Sequence, residues 1–282
     1  MTDDQREELL DHWEEAAPGW GRQAERFSEA VAPVTAAMLE RAVLAPETRV
    51  LELAAGPGDL SLAAAPHVAP TKVLCSDGVQ AMVDVARERA LEEGVENLEF
   101  QRLALEWIDL PAASADVIFC RYGLMLTVDP EAALRECRRV LAPGGRLIAA
   151  VQGSGVENPW VTTPMQAATD LGLLAPSASP GASGPGPFAL AGDGQLAELM
   201  SDTGFFDIQV TSVSFAWRYR NELDWVGEKI DHSASFAAMW RGLDDERRRA
   251  LAARLAEMTD AFAQSDGSLV VPGVALVAVG DA

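Results

Sequence analysis

Val50-Leu51-Glu52-Leu53-Ala54-Ala55-Gly56-Pro57-Gly58-Asp59-Leu60-Ser61 is an apolar strand, a turn with two glycines and the start of a helix in one stretch. Such a turn lets backbone approach a ligand where a β-carbon would collide. Nineteen residues after Gly58 stands Asp77, at the end of the next apolar run, Val73-Leu74-Cys75. At that spacing a carboxylate accepts hydrogen bonds from ribose hydroxyls in nucleotide-binding folds. Capping the helix that starts near Gln80 is the alternative role for Asp77, and the two can coexist. Gly78 leaves room for a flat ring, while Met82 lies either on an adenine face or in the core. A dinucleotide fingerprint would put its third glycine at position 61, which Ser61 occupies. The stretch therefore reads as a nucleoside-cofactor cradle without a pyrophosphate signature.

Outward from the cradle, short apolar runs alternate with helical patterns. Strands are expected at residues 49–54, 72–76, 98–103, 116–120 and 146–152, and helices at 59–65, 80–93 and 130–141, with an uncertain crossover at 105–113. Strand and helix in alternation imply right-handed crossovers and a largely parallel, doubly wound α/β sheet covered on both faces. Residues 1–45 read as a helical prefix interrupted at Pro18-Gly19, and 46–152 as the cofactor-binding core. Residues 203–219 and 267–282 supply the last strands. Between and before them, 153–202 and 220–266 are insertions expected to fold together as a helical cap. The tract 176–187, rich in Pro, Gly, Ser and Ala, is expected to be an irregular or mobile loop.

The 282 residues suffice for one large α/β domain with a substantial core. With 43 acidic against 22 basic side chains, the formal charge of −21 would repel a phosphate backbone, so nucleic acid is not the expected partner. No segment approaches 18 uninterrupted apolar residues, which argues against an integral membrane segment. The first residues lack the apolar core of a secretory signal, so the expected location is the cytoplasm. Cys75, Cys120 and Cys137 have no ligand spacing and read as buried reduced thiols. With His12, His67 and His232 the only histidines, and no metal-ligand array among them, no metal is expected. Oligomeric state leaves no trace in the sequence.

The chain resembles the class I S-adenosylmethionine-dependent methyltransferases, in particular the small-molecule branch that includes the ubiquinone/menaquinone C-methyltransferases. The resemblance runs over about residues 45–152 and rests on Leu51-Glu52-Leu53-Ala54-Ala55-Gly56-Pro57-Gly58, Ser76-Asp77-Gly78-Val79-Gln80-Ala81-Met82 and, most specifically, Arg139-Val140-Leu141-Ala142-Pro143-Gly144-Gly145-Arg146-Leu147. It implies a Rossmann-like, mostly parallel seven-stranded sheet with an antiparallel last strand at residues 269–279. It also implies S-adenosyl-L-methionine as cofactor and S-adenosyl-L-homocysteine as product. Ala54, Gly56 and Gly58 would face the methionine part, with Glu52 reaching its amino group; Asp77 would hold the ribose, and Gly78 and Met82 would flank adenine. Trp20 would close over the cofactor from the helical prefix. Ala104, Leu105 and Glu106 occupy the third-strand segment, and Cys120 and Arg121 the end of the fourth.

One departure is Ala104, which stands where relatives carry an aspartate that accepts from the adenine amino group. One charge-assisted hydrogen bond is worth about 1.5 to 3 kcal/mol, unless Glu106 replaces it. Tyr122, Met125, Trp160, Phe188 and Trp225 are the expected substrate contacts, and His232 is the candidate base. The expected activity is in-line methyl transfer to a small, apolar or aromatic molecule, a reaction that demands alignment and water exclusion more than a catalytic triad. The alternative is a non-methylating member of the fold, a cofactor-scaffolded cyclase or a small-molecule binding module. A nicotinamide oxidoreductase is disfavoured by Ser61 and by the Pro143-Gly144-Gly145 link.

Overall fold

The structure, a computed structural model, describes residues 3–175 and 184–282. Residues 176–183, most of the expected irregular tract, lie outside the described residues. Seven strands form one sheet: β1 (Val50–Leu53), β2 (Val73–Asp77), β3 (Leu98–Arg102), β4 (Ala115–Arg121), β5 (Leu141–Gln152), β6 (Phe206–Tyr219) and β7 (Leu269–Asp281), in the order β3-β2-β1-β4-β5-β7-β6. The first five are parallel neighbours, and β7 lies antiparallel between β5 and β6. The order reverses between β1 and β4. A ligand crevice opens at such a switch point, beyond the carboxyl ends of the strands.

Ten α-helices accompany the sheet among the described residues: α1 (Asp3–Ala30), α2 (Ala32–Ala42), α3 (Asp59–Val68), α4 (Gln80–Glu93), α5 (Pro130–Val140), α6 (Pro159–Asp170), α7 (Gln195–Asp202), α8 (Glu222–His232), α9 (Ala234–Arg241) and α10 (Asp245–Glu257). Alternation along the central strands feeds two cores. Val117, Phe119, Ile148 and Ala150 join one, whereas Ile118, Cys120, Leu147 and Ala149 join the other, as two buried faces require. The first core also takes in Phe27, Trp160, Trp217, Tyr219 and Trp225. The second takes in Leu134 of α5 with Leu196 and Met200 of α7, so α7 covers the sheet.

Two local expectations change. The break at Pro18-Gly19 is not there, since α1 runs through it. Gly19 serves a close approach instead, because a Cβ at that position would collide with the carbonyl oxygen of Asp231 in α8. Residues 105–113 form turns rather than a crossover helix. Their backbone is tied to α5: the Ile108 amide donates to Glu136 at 2.9 Å, and the Arg139 guanidinium donates to the carbonyls of Ile108 and Leu110 at 2.6 and 2.8 Å. Elsewhere, Trp225 Nε1 donates to the Trp160 carbonyl at 3.1 Å and Arg254 pairs with Asp170 at 2.6 Å, joining α8 and α10 to α6.

Candidate active site

After β1 the chain takes positive φ at Ala54 (52°), Gly56 (53°) and Gly58 (79°), the left-handed turn for which glycine is suited. Gly58 has a second task. A Cβ there would lie 2.8 Å from the Cβ of Ala86, so α4 packs directly on the turn. Asp77 closes the turn from the side, with Oδ2 accepting from the Gly56 amide at 2.9 Å and Oδ1 from the Val79 amide at 3.0 Å. The cap of α4 is Val79, without a side-chain bond, so the Asp77 carboxylate braces the loop and does not cap that helix. Burial raises Asp77 to about 6 against the pull of the amides.

Under the turn lies a small charged floor. Glu52, 1% exposed, accepts from the Ser61 hydroxyl. Burial raises its carboxyl to about 8, and Ser61 and Arg121 offset only part of that. Arg121, at the end of β4, forms a buried ion pair with Asp59 at the start of α3 and donates to the Thr35 hydroxyl at 2.7 Å. Burial works against this guanidinium, yet the Asp59 charge holds it above its ordinary value. Asp59 Oδ1 has no hydrogen-bond partner among the described residues.

On the far side, Met82 is buried with Ala17 and Val79 beneath Leu10, Trp13 and Trp20 of α1. A Cβ on Gly78 would stand 3.3 Å from the Leu10 side chain. A cavity of about 240 Å³ opens beside them, between Leu10, Asp11 and Glu14 of α1 and Gly78, Gln80 and Arg102. Ala104 is exposed, and its carbonyl accepts from the Trp107 amide at 3.3 Å, with Leu105 half-buried in the turn. Both oxygens of Glu106 are committed, one to Arg6 of α1 and one to the Asp129 amide at 2.6 Å. Glu106 therefore ties α1 to the start of α5.

The loop after β4 joins this cradle to the rest of the site. A Cβ on Gly123 would lie 2.5 Å from that of Ala54 and 2.8 Å from the Cys120 sulfur, so glycine is what lets the loop touch the turn. The Cys120 thiol is pushed by burial up to about 12 and stays un-ionised. Tyr122, at φ 61°, is anchored by its amide to the Ala150 carbonyl at 2.7 Å. Its ring meets Phe27 at 6.3 Å between centroids, and Phe27 in turn meets Trp20 at 5.2 Å, Trp217 at 6.1 Å and His232 at 6.2 Å. Trp20 stacks on His232 at 4.1 Å.

The fold gathers some of the expected substrate contacts and disperses others. Tyr122 and His232 share the aromatic cluster. Trp160 stacks on Trp217 at 5.1 Å and Trp225 on Tyr219 at 4.9 Å, but their indole N–H groups are satisfied by Asn158 and by the Trp160 carbonyl, so both act as walls. Met125 belongs to the opposite core, where its sulfur accepts from the Gln152 amide at 3.4 Å. Phe188 packs near Gly155, outside the cluster. Met125 parts from Tyr122 because neighbours in sequence after a strand end do not all face the same side of the sheet. Sequence reasoning missed Phe27, Asp59, Gln152, Trp217 and Glu228. Only Glu228 carried a local signal, four residues before His232 on one helix face.

Residues 50–145 match the family model described as a methyltransferase domain. The chain is 39% identical over 111 residues to the uncharacterized methyltransferase YcgJ of Bacillus subtilis (strain 168), covering 39% of this chain and 43% of YcgJ. It is 38% identical over 112 residues to the ubiquinone/menaquinone biosynthesis C-methyltransferase UbiE of Ectopseudomonas mendocina, covering 39% and 44%. Over residues 50–145 the chain is similar to methyltransferase domains of the class I S-adenosylmethionine-dependent type. These matches span less than half the length of either relative. The methyltransferase fold extends further: the YcgJ structure aligns over 88% of this chain and 97% of its own, with a TM-score of 0.57 at 23% identity. The [4+2]-cyclase SpnF aligns over 88% and 80%, with 0.55 at 21%.

S-adenosyl-L-methionine is the cofactor that belongs with such a domain, and the charged floor suits it. Glu52, Asp59 and Arg121 sum to one negative charge once Glu52 ionises, against the single net positive charge of a sulfonium amino acid zwitterion. Burial is what raises the Glu52 carboxyl, and a nearby cation would favour its ionised form. Among the described residues no group of three His, Cys, Asp or Glu side chains is placed to hold a metal ion, and no helix is long and apolar enough to cross a membrane.

Proposed function

We propose that the protein transfers a methyl group from S-adenosylmethionine to a small apolar or aromatic molecule held at the aromatic cluster. The observation that carries this reading is the contact of Gly123 with Ala54, which sets the cradle turn against the loop bearing Tyr122. In this reading the turn at Ala54, Gly56 and Gly58 faces the methionine part, Glu52 and Asp59 face its ammonium, and Asp77 accepts from the ribose. Gly78 and Met82 flank the adenine, with Trp20 and α1 lying over that end. Ala104 leaves the adenine amino group without a carboxylate partner, which makes the cofactor loosely held.

When bound, the cofactor supplies an electrophilic methyl on sulfur. The chain's own part is alignment and dryness: Arg121 and Asp59 fix the floor, the aromatic rings exclude water, and Tyr122 is held at the strand end by its backbone. Localisation in the cytoplasm belongs to the same proposal. Calorimetric titration with S-adenosylmethionine and S-adenosylhomocysteine tests the reading, with micromolar to submillimolar binding expected. Lack of binding at millimolar ligand would overturn it. A cyclase or binding role gains ground if the cofactor binds but no labelled methyl reaches any acceptor.

A further inference from the structure

We propose that Glu228 and His232 form a proton-accepting dyad for the methyl acceptor, and that this acceptor is a planar aromatic carrying an acidic hydroxyl. The inference rests on the methyl-transfer reading and assigns the substrate class of that same site. The two residues lie one turn apart on α8, with His232 Nδ1 against Glu228 Oε1. Glu228 is fully buried, and burial alone would raise its carboxyl. Lys229 and His232 more than offset that and hold it below its ordinary value. Tyr219 adds a hydrogen bond to Oε2 at 3.3 Å, and Lys229 Nζ lies 3.7 Å from Oε1 and 4.6 Å over the Trp160 ring. An ionised carboxylate only accepts, so it accepts a hydrogen bond from Nδ1–H, and in the neutral imidazole that tautomer leaves Nε2 as a lone pair.

That Nε2 is buried and has no hydrogen-bond partner among the described residues. Six more buried polar atoms share its condition: Trp20 Nε1, Trp217 Nε1, the Tyr122 hydroxyl and Gln152 Oε1, besides Asp59 Oδ1 and Arg248 Nε. The first three sit on rings around Phe27. Gln152 ends β5 on the face it shares with Ala150 and Ile148 of the same core. Buried polar atoms are nearly always satisfied, so four unsatisfied ones on the rings of one cluster, with a fifth two residues beyond the Ala150 carbonyl that anchors Tyr122, point to a ligand's polar edge. Their chemistry defines that edge. The indole N–H groups require acceptor oxygens, while His232 and Gln152 accept and so call for a hydroxyl donor. Walls of Trp, Phe and Tyr select a planar ring. Because Trp20 covers His232, entry requires α1 to shift.

In the step assigned to the dyad, His232 Nε2 takes the proton of the acceptor hydroxyl as its oxygen forms the new bond to the methyl carbon. The electron pair of the breaking carbon–sulfur bond stays on sulfur, and the imidazolium, held by Glu228, later returns its proton to solvent. Glu228 is a positioning residue, acting through the imidazole.

The test uses the full chain saturated with S-adenosylhomocysteine and, as probes, 2-naphthol and 2-methoxynaphthalene, titrated by calorimetry. Wild type is expected to bind 2-naphthol at least tenfold more tightly. His232→Leu is expected to bring the ratio near one with S-adenosylhomocysteine affinity unchanged. Tyr122→Phe, which removes only a hydroxyl, is expected to cost 2-naphthol about threefold or more and serves if His232→Leu does not fold. With labelled S-adenosylmethionine, kcat for 2-naphthol is expected to fall at least a hundredfold in His232→Leu. In Glu228→Gln it falls at least tenfold with KM little changed. Equal binding of the two probes to wild type, a ratio that survives His232→Leu, or no binding of either probe while S-adenosylhomocysteine binds would overturn the proposal. Failure of S-adenosylhomocysteine to bind overturns the methyl-transfer reading and the dyad's role with it, whereas loss of the probe discrimination while S-adenosylhomocysteine binds overturns the dyad alone.

Discussion

The cradle and the aromatic cluster are built in opposite ways. Between Val50 and Gly58 the geometry is made by consecutive residues, and Asp77, Ala86 and Gly123 only brace it. The cluster draws Trp20 and Phe27 from α1, Tyr122 from the end of β4, Trp217 from β6 and His232 from α8. Polar groups follow the same division. The cradle's are mostly paired, down to the Asp77 oxygens on two amides, whereas the cluster leaves four buried atoms without partners. A site made locally keeps its shape whatever binds. One assembled from distant elements takes its shape from how those elements close.

The sharpest way to break this contrast is at the buried pair that supports the cradle floor. Arg121→Met leaves Asp59 as an uncompensated buried charge and is expected to cost about 3 to 5 kcal/mol, read as a fall in chemical-denaturation midpoint. A loss below 1 kcal/mol would show the pair to be solvated and the floor soft. Next is Gly19→Ala, which puts a Cβ against the Asp231 carbonyl and pushes α1 away from α8. It is expected to destabilise by about 1 to 3 kcal/mol and to weaken 2-naphthol more than S-adenosylhomocysteine. An equal loss for both would mean that α1 closes the two regions as one.

Glu52 gives a pH signature. Its folded-state value of about 8 lies above the ordinary 4.5, so the stability it contributes is present below about pH 4.5 and lost as pH rises toward 8. Asp77, raised to about 6, adds a smaller loss between about pH 4 and 6. Binding a cation on the floor favours ionised Glu52 and releases its proton, so S-adenosylmethionine affinity is expected to rise up to about tenfold per pH unit from 6 to 8. Glu52→Gln should flatten that slope, measurable by titration in buffers of matched ionic strength. The smallest effect is expected at Ala104→Asp, which restores a carboxylate at the adenine end and should tighten the cofactor by about tenfold. No gain would mean that the adenine amino group lies elsewhere.

Much of the cradle was legible in sequence. Positive φ at Gly56 and Gly58, parallel β1, β2 and β4, and the placement of Asp77 beside the turn all follow from local pattern. Misreadings came where a residue answered to a distant partner. Pro18-Gly19 looks like a break, but Gly19 is there for Asp231. Residues 105–113 look like a short helix, but Glu136 and Arg139 take their backbone groups. Glu106 looks available to replace the partner missing at Ala104, yet Arg6 and the Asp129 amide hold it.

By itself the sequence determined the class of fold and the cofactor cradle, because both are written in backbone requirements: apolar runs of strand length, glycine where φ turns positive, and one carboxylate at a fixed spacing. Tertiary structure alone decided which aromatic and titratable side chains meet. Trp20, Tyr122, Trp217 and His232 are up to 212 residues apart in sequence, and no periodicity relates them. Their meeting depends on where α1 and α8 settle against the sheet. That settling is governed by long-range packing, to which each local segment is blind.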